Sequence, residues 1–198
     1  MTTRHLDLGC GTVPRNPYGQ AEIHAVDLAA PSGLDPDRFR VANLSLEPIP
    51  HLDSTFDSVS AFDFLEHVPR VLTTADGHAT FFPFVRLMDE IHRVLKPGGR
   101  LYAITPAYPS EDAFVDPTHV NYFTRGTWRY FCGPQPLART YGFRGGFSML
   151  RNERALFPEA FSATTILGWR RRLRRWRLEK TGRLGHLVWE FACVKPPP

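Results

Sequence analysis

The feature that most constrains the fold is a series of five short apolar runs, each bounded by polar residues, glycine or proline. They cover residues 5–8, 22–27, 39–43, 56–62 and 99–105. Runs of this length are typical of buried strands. Where such strands alternate with helical patterns, the chain forms a parallel sheet with helices on its faces. The sequence therefore predicts an α/β fold.

The segment FVRLMDEIHRVLKPGG, residues 84–99, has the clearest helical period in the chain. Its apolar residues recur every three or four positions, at Phe84, Leu87, Met88, Ile91, Val94 and Leu95. Lys96 is expected in the last turn, where a cation is favourable, and Pro97-Gly98-Gly99 ends the helix. The fifth apolar run follows directly, so a tight turn joins this helix to the next strand.

The first apolar run leads into a glycine turn, with Gly9 and Gly11 separated by one residue. Glycine there allows a ligand to approach the backbone closely. The dinucleotide-binding fingerprint needs a third glycine, and the segment 12–14 supplies none, so a pyrophosphate ligand is disfavoured. In an open parallel sheet, ligands bind beyond the carboxyl ends of the strands. We therefore expect the site at the rim formed by residues 7–11, Asp27, Asn43, Asp63 and Thr105.

Length and composition describe one ordinary globular domain covering residues 1–198, with 42% hydrophobic and 22% charged residues. The three cysteines are odd in number and scattered, and the N-terminus lacks a basic start followed by an apolar run. A disulfide framework and export are therefore not expected, and we predict a cytoplasmic protein. No apolar stretch is long enough to predict a transmembrane segment.

Four motifs stand in order along the first half of the chain: LDLGCG, Asp27, FDSVSAFDFLEHV and RVLKPGGRLYAITP. Together they resemble the class I S-adenosylmethionine-dependent methyltransferases, in particular a small branch with LDLGCG, LEH and LKPGG motifs. The segment YFTRGTWRYF and a later YGF extend the resemblance through Phe143. It implies a doubly wound, mostly parallel seven-stranded sheet whose last strand is antiparallel. GFSMLRNERA and HLVWEFACVK are the candidates for the final two strands.

The resemblance also implies a set of cofactor-binding residues. These are Asp7, Gly9, Gly11, Asp27, Leu28, Asn43, Leu44 and Asp63. S-adenosylmethionine has no pyrophosphate, so two close backbone approaches at the glycine turn suffice. Asp27 would accept hydrogen bonds from the ribose hydroxyls, and Asn43 and Leu44 would border the adenine. Asp7 either orients the methionyl ammonium or fixes the loop.

Methyl transfer to a hydroxyl requires alignment of two atoms and removal of a proton. Histidine is the preferred base, and His119, in the loop after the fifth strand, is the first candidate. His67 and Glu66, from the LEH motif, are the other catalytic candidates, although both also suit a structural role. A divalent ion is a further hypothesis, with Asp63, Glu66, Asp116 and His119 as ligands. This oxygen-rich set favours Mg²⁺.

Residues 106–128 are expected to form the acceptor-site loop, because they mix carboxylates, an amide and aromatic rings that suit a saccharide. Residues 73–84 would form the opposite wall. The chain starts almost on its first strand, so we expect that it lacks the N-terminal helical lid usual in the family. The favoured function is O-methylation of a small molecule, with a saccharide or related metabolite as the acceptor.

A basic segment stands out between Arg170 and Arg183, which contains eight of the 24 lysines and arginines. We predict a basic helical insertion over residues 158–184, in which Trp169, Leu173 and Trp176 share one helical stripe, with Leu184 as a further candidate for it. The favoured interpretation packs this stripe on the domain. Peripheral membrane contact through residues 169–184 is the less favoured alternative, and a nucleic-acid partner is not expected.

Three alternatives to O-methylation remain at this point. They are N-methylation of a small molecule, a non-catalytic binding or scaffold subunit that keeps the adenosylmethionine fold but has lost cofactor binding, and a dehydrogenase that uses a nicotinamide cofactor. The incomplete glycine fingerprint disfavours the dehydrogenase, and the intact Gly9, Gly11 and Asp27 disfavour a subunit without binding. The sequence leaves the oligomeric state open, with a homodimer among the alternatives.

Overall fold

A computed structural model describes residues 2–30, 35–164 and 168–195. Its strands are β1 (Arg4–Leu8), β2 (Glu22–Asp27), β3 (Phe39–Val41), β4 (Phe56–Phe62), β5 (Leu72–Thr73), β6 (Thr80–Phe81), β7 (Leu95–Pro106), β8 (Phe147–Ala155) and β9 (His186–Cys193). The α-helices are α1 (Pro83–Val94) and α2 (Trp169–Lys180). All five predicted apolar runs are strands, although β3 is two residues shorter than predicted. β7 begins four residues earlier than predicted, so Lys96 lies in this strand and not in the last turn of α1.

Seven strands form one sheet in the order β3-β2-β1-β4-β7-β9-β8, and β5 and β6 form a separate hairpin. β1 pairs in parallel with β2 and β4, and β7 pairs in parallel with β4. β9 is antiparallel to both of its neighbours, β7 and β8. The mostly parallel seven-stranded sheet with an antiparallel last strand is therefore confirmed. The carboxyl ends of β1, β2, β3, β4 and β7 meet at one rim.

Helix α1 forms the main core with one face of the sheet. It begins at a proline, which suits the first helical turn, and it buries Leu87, Met88, Ile91 and Val94. These side chains belong to the same apolar cluster as residues of β1, β4 and β7. Burial of side chains of this size contributes about 1.5 to 3 kcal/mol each. The predicted spacing of the helix is therefore the spacing that packs.

The opposite face of the sheet differs from the prediction, because the connections after β1, β2 and β3 contain no α-helix in the described residues. This face carries buried polar side chains on adjacent strands. His5 Nδ1 lies 2.7 Å from Ser58 Oγ, and His5 Nε2 lies 2.8 Å from Ser60 Oγ. Burial lowers the pKa of His5 to about 3, so the imidazole is neutral. These hydrogen bonds satisfy the polar part of this face, and beside it a small apolar cluster that includes Phe62, Tyr102 and Val188 packs against Phe157 and Ala163.

Helix α2, between β8 and β9, turns its apolar stripe toward solvent, contrary to the prediction. None of its residues is buried, and Trp169, Leu173 and Trp176 are 70%, 43% and 56% exposed. The prediction that this stripe packs on the domain is wrong. Residues 165–167 of the predicted insertion lie outside the described residues. Within the described part of the chain, no helix has the length and apolar character needed to cross a bilayer.

Candidate functional site

The glycine turn after β1 is shaped by two left-handed residues. Gly9 has φ +63° and Gly11 has φ +59°, and the Gly9 N–H donates to the Val26 carbonyl at 2.9 Å. A Cβ on Gly9 would lie 2.5 Å from Cδ2 of Phe64. Glycine is therefore required twice at this position, for the backbone angle and for the approach of the phenyl ring.

Asp27, at the end of β2, holds this turn in place. Its Oδ2 accepts a hydrogen bond from Gly11 N at 2.8 Å, and its Oδ1 accepts one from Leu28 N at 2.6 Å. The side chain remains partly exposed. Each carboxylate oxygen keeps a further lone pair. Asp27 is thus positioned to accept two neighbouring hydroxyl groups while it fixes the backbone of the turn.

These residues line a cavity of about 300 Å³ at the rim of the sheet. It is bounded by Gly9, Gly11, Val26, Asp27, Leu28, Ala42, Asn43, Leu44, Ser45, Phe64, His67 and Val68. Six of the eight predicted cofactor residues are in this set, together with one predicted catalytic residue. The Asn43 Oδ1 accepts from Ser45 N at 3.1 Å, which fixes the side of the cavity formed by the chain after β3.

The other two predicted cofactor residues do not line this cavity. Asp7 is 1% exposed and accepts hydrogen bonds from Ser60 Oγ at 2.5 Å and from Arg15 N at 2.8 Å. Burial raises the pKa of Asp7 to about 6. Of the two roles predicted for Asp7, fixing the loop is the one with contacts in the structure. Asp63, at φ +46°, lies with Oδ1 3.5 Å from His186 Nε2.

A second group of predicted residues converges beside this cavity. Glu66, His67 and His119 each offer a ligand atom, and these atoms lie within 4.8 Å of one another. The two imidazole rings meet edge to face at 4.8 Å between centroids. Asp63 and Asp116, which were predicted as metal ligands, do not belong to this group. Asp116 instead accepts hydrogen bonds from the backbone and hydroxyl of Thr118.

Backbone hydrogen bonds bring the distant His119 to this place. The N–H groups of Val120 and Asn121 both donate to the Glu66 carbonyl, at 2.8 and 3.0 Å. The Asn121 side-chain amide donates to the carbonyls of Leu65 and Val68 at 2.9 and 2.6 Å. Asn121 was predicted to contact the acceptor, but its amide protons are used to dock the loop.

The Glu66 carboxyl is unusual in its environment. The residue is 1% exposed, and neither oxygen makes a hydrogen bond of good geometry in the described residues, although the Thr105 hydroxyl lies near enough to lower the pKa slightly. Burial, with a smaller contribution from Asp63, raises the pKa of Glu66 to about 8. A buried carboxyl without a partner costs free energy. A buried carboxyl without a strong partner is typical of a site where a bound ligand or ion supplies the missing contact.

The histidines are held by their Nδ1 atoms. Thr118 Oγ1 donates its proton to Asp116 at 2.7 Å, so His67 Nδ1, at 2.8 Å from the same oxygen, is the donor to it. His119 Nδ1 donates to the Ala113 carbonyl at 3.3 Å. In the neutral rings, both Nε2 atoms therefore carry a lone pair. Burial, followed by the neighbouring His119, lowers the pKa of His67.

A second cavity, of about 590 Å³, lies close to the first along the chain, since His67 and Val68 line the first and Arg70 and Val71 line the second. It is lined by Arg70, Val71, Phe82, Phe84, Val85, Asn121, Tyr122, Phe123, Thr127, Tyr130, Phe131 and Tyr141. Both segments that were predicted to form the acceptor side contribute. Tyr122 stacks on Phe114 at 4.8 Å, and the Arg70 guanidinium lies 5.1 Å from its ring centroid. A larger groove along α1 contains none of the predicted catalytic, cofactor or metal residues, although Thr80, Phe81 and Phe82 of the predicted acceptor wall also line it.

Residues 6–103 match the family model described as "Methyltransferase domain". This matched region is a methyltransferase domain, and its motifs and fold agree with the class I S-adenosylmethionine-dependent type. The matched region of this methyltransferase contains the glycine turn, Asp27 and the LEH motif. A search of curated proteins found no significant match.

Solved structures share the fold of this methyltransferase at low identity. A methyltransferase from Haloferax volcanii, in complex with the Trm112 methyltransferase activator, is 14% identical, with TM-score 0.58, 100% of this chain covered and 84% of that chain. A Mesorhizobium loti S-adenosylmethionine-dependent methyltransferase is 17% identical, with TM-score 0.57 and coverages of 96% and 91%. The Burkholderia thailandensis 1,6-didemethyltoxoflavin-N1-methyltransferase, solved with its substrate and S-adenosylhomocysteine, is 18% identical, with TM-score 0.53 and coverages of 98% and 72%.

Two contributors to the site were not found by sequence reasoning. Phe64 closes one wall of the cofactor cavity, and Thr118 orients the His67 ring. Phe64 lies between Asp63 and the LEH motif, so its neighbours gave a signal. Nothing in the sequence links Thr118 to His67, because the two are 51 residues apart.

Proposed function

We propose that this methyltransferase transfers the methyl group of S-adenosylmethionine to a hydroxyl group of a saccharide or related small molecule. The observation that carries the proposal is the cluster of Glu66, His67 and His119 beside the cofactor cavity. Proton removal is required for a hydroxyl acceptor. The cluster provides two imidazoles and one carboxyl at that place, and each neutral imidazole keeps a lone pair on Nε2.

The cofactor would occupy the 300 Å³ cavity, with its ribose hydroxyls on Asp27 and its adenine between Leu28, Asn43 and Leu44. Gly9 and Gly11 would border the methionyl part. The acceptor oxygen attacks the methyl carbon in line with the carbon–sulfur bond, which breaks as the carbon–oxygen bond forms. The hydroxyl proton passes to His119 Nε2, and the products are a methyl ether and S-adenosylhomocysteine.

The second cavity supports a saccharide as the acceptor. Stacked aromatic rings, such as Tyr122 on Phe114, suit the apolar faces of a sugar, and the Arg70 guanidinium supplies hydrogen-bond donors for hydroxyls. We assign residues 106–128 as the acceptor-site loop of one methyltransferase domain. Residues 73–84, which include all of the β5–β6 hairpin except Leu72, would form the facing wall.

A metal-assisted variant of this function is favoured by one observation, the two unpartnered oxygens of Glu66 in front of His67 and His119. These three residues would hold a divalent ion, with Asp116 and Thr118 orienting the His67 ring from behind. Two imidazoles and one carboxylate suit Fe²⁺, Mn²⁺ or Zn²⁺ better than Mg²⁺. A bound ion would lower the pKa of the acceptor hydroxyl. His119 would then be a ligand and not the base.

The function is tested by screening saccharides for S-adenosylhomocysteine production and by locating the methylated atom by NMR. His119→Ala should lower turnover by about a hundredfold to ten-thousandfold, with cofactor affinity unchanged. His24→Ala, on β2 and outside the lining of both cavities, is the matched control. Methylation of a nitrogen, or full turnover of His119→Ala at saturating acceptor, would refute the proposed role.

Exhaustive chelation separates the two variants of the mechanism. If His119 is the base, chelated enzyme keeps full activity. If a metal is required, activity is lost and returns with Mn²⁺ or Zn²⁺, and Mn²⁺ binding measured by calorimetry weakens in Glu66→Gln. The calorimetric readout does not depend on knowing the acceptor.

A further inference from the structure

Helix α2 presents its apolar stripe to solvent. Trp169, Leu173 and Trp176 are spaced by four and three residues, so they share one face, and all three are exposed. A surface with two exposed tryptophans in three helical turns is uncommon on a soluble domain, where large apolar side chains are usually covered. We therefore expect a binding partner to cover this stripe.

The domain holds α2 through its other side. Arg175 pairs with Glu153 at 2.9 Å, and its side chain is 15% exposed. Arg174 lies 3.5 Å from Glu159, and Leu178 is partly buried. Because charged contacts fix this side against β8 and the residues that follow it, the tryptophans cannot turn inward without breaking those ion pairs. The outward orientation of the stripe is thus enforced by the fold.

Cations surround the stripe. The helix contains six arginines and Lys180 against a single acid, Glu179. In the part of the chain that the structure describes, no carboxylate lies within 4.0 Å of Arg170, Arg171 or Arg177. These guanidinium groups are therefore available to an anionic partner. Apolar residues flanked by arginines are the pattern of a helix that lies in the interface of an anionic membrane.

We propose that α2 docks this methyltransferase on an anionic lipid bilayer, with Trp169, Leu173 and Trp176 in the boundary between headgroups and acyl chains. Tryptophan favours that boundary because its ring is apolar and its N–H is polar. A nucleic acid would satisfy the arginines, but it would leave Leu173 without an apolar environment. The lipid surface is the partner that accounts for both the stripe and the charge.

The docked orientation has a consequence for the substrate. Glu179 of α2 forms an ion pair with Arg125, which lies in the segment 106–128. The helix is thus tied to the loop that we assign to the acceptor side. If the proposed function is right, an acceptor carried on a membrane lipid would be presented to this loop. Membrane binding itself does not depend on that function.

Co-sedimentation with vesicles tests the proposal on the full chain. Vesicles of phosphatidylcholine with 30 mol% phosphatidylglycerol are compared with phosphatidylcholine alone, over a series of salt concentrations. We expect salt-sensitive binding to the anionic vesicles only. Replacing Arg170, Arg171 and Arg177 by glutamine should weaken binding about a hundredfold, since each cation near an anionic surface contributes roughly fivefold. A charge-matched control replaces the exposed Arg38, Arg129 and Arg144 by glutamine.

The apolar stripe is tested separately. Trp169→Ala with Trp176→Ala should lose binding, whereas Leu52→Ala, at an 82% exposed position elsewhere, should keep it. Brominated lipids should quench the fluorescence of the native protein and not that of the double variant. Equal binding to neutral vesicles, unchanged binding of the double variant, or tighter binding to duplex RNA than to anionic vesicles would each overturn the proposal. Calorimetry with S-adenosylhomocysteine reports whether each variant keeps its cofactor site.

Discussion

Neutralising Glu66 should stabilise the protein at alkaline pH. In the unfolded chain this carboxyl ionises near its ordinary pKa of 4.5, whereas burial raises its pKa in the folded state to about 8. The folded protein therefore keeps a proton that the unfolded chain releases, and stability falls as pH rises through this window. At about 1.4 kcal/mol per pH unit, ionised Glu66 costs the folded state on the order of 3 to 5 kcal/mol above pH 8.

Glu66→Gln removes the charge and keeps the shape. Urea unfolding with chelator present should show the variant about 3 to 5 kcal/mol more stable than the native protein at pH 8.5, and nearly equal to it at pH 4.5. Burial also raises the pKa of Asp7, to about 6, but Asp7 is present in both proteins and its effect cancels in the difference.

The matched control is Glu111→Gln, at an exposed position in the acceptor-site loop. It should leave the pH dependence of stability unchanged. Parallel stability curves for the native protein and Glu66→Gln over pH 5 to 8.5 would refute the reasoning, because they would show that the buried carboxyl is not held protonated. Higher stability together with lost metal binding or lost activity would identify Glu66 as a functional residue that the fold tolerates at a cost.

Two further predictions concern the cofactor cavity. Asp27→Ala removes the acceptor of Gly11 N and the proposed ribose contact, so calorimetry should show S-adenosylhomocysteine binding weakened by about 1.5 to 3 kcal/mol, and unchanged affinity would contradict the assignment. Gly9→Ala places a Cβ 2.5 Å from Phe64 at a positive φ, whereas Gly77→Ala has a similar positive φ with open space around it. Urea unfolding should therefore show that Gly9→Ala lowers the free energy of unfolding by about 1 to 3 kcal/mol more than Gly77→Ala does. Equal losses of stability in the two variants would exclude the clash.

Local sequence patterns were sufficient for the sheet and for α1. The five apolar runs and the spacing of Leu87, Met88, Ile91 and Val94 follow from the periods of strand and helix, and the sheet confirmed them. The absence of α-helices after β1, β2 and β3 in the described residues was not predicted from the sequence. Polar side chains such as His5 and Ser60 stabilise that face by pairing across strands, and no period along one strand reveals such partners.

The candidate site divides in the same way. Gly9, Gly11 and Asp27 lie at strand ends, and parallel pairing brings strand ends together, so the sequence by itself determined their place around one cavity. Only the tertiary structure decided that His119 meets Glu66 and His67, because backbone hydrogen bonds from residues 120 and 121 to the Glu66 carbonyl bring a distant loop to the LEH motif.

The orientation of helix α2 shows most clearly what the sequence alone does not determine. The sequence determined which residues share its apolar face, because helical spacing depends only on the chain itself. Which face meets the domain depends on the partners that the fold supplies. Glu153 and Glu159 stand where Arg175 and Arg174 reach them, so the charged side packs and the tryptophans face outward. That choice is made by the positions of groups distant in sequence, and only the tertiary structure contains them.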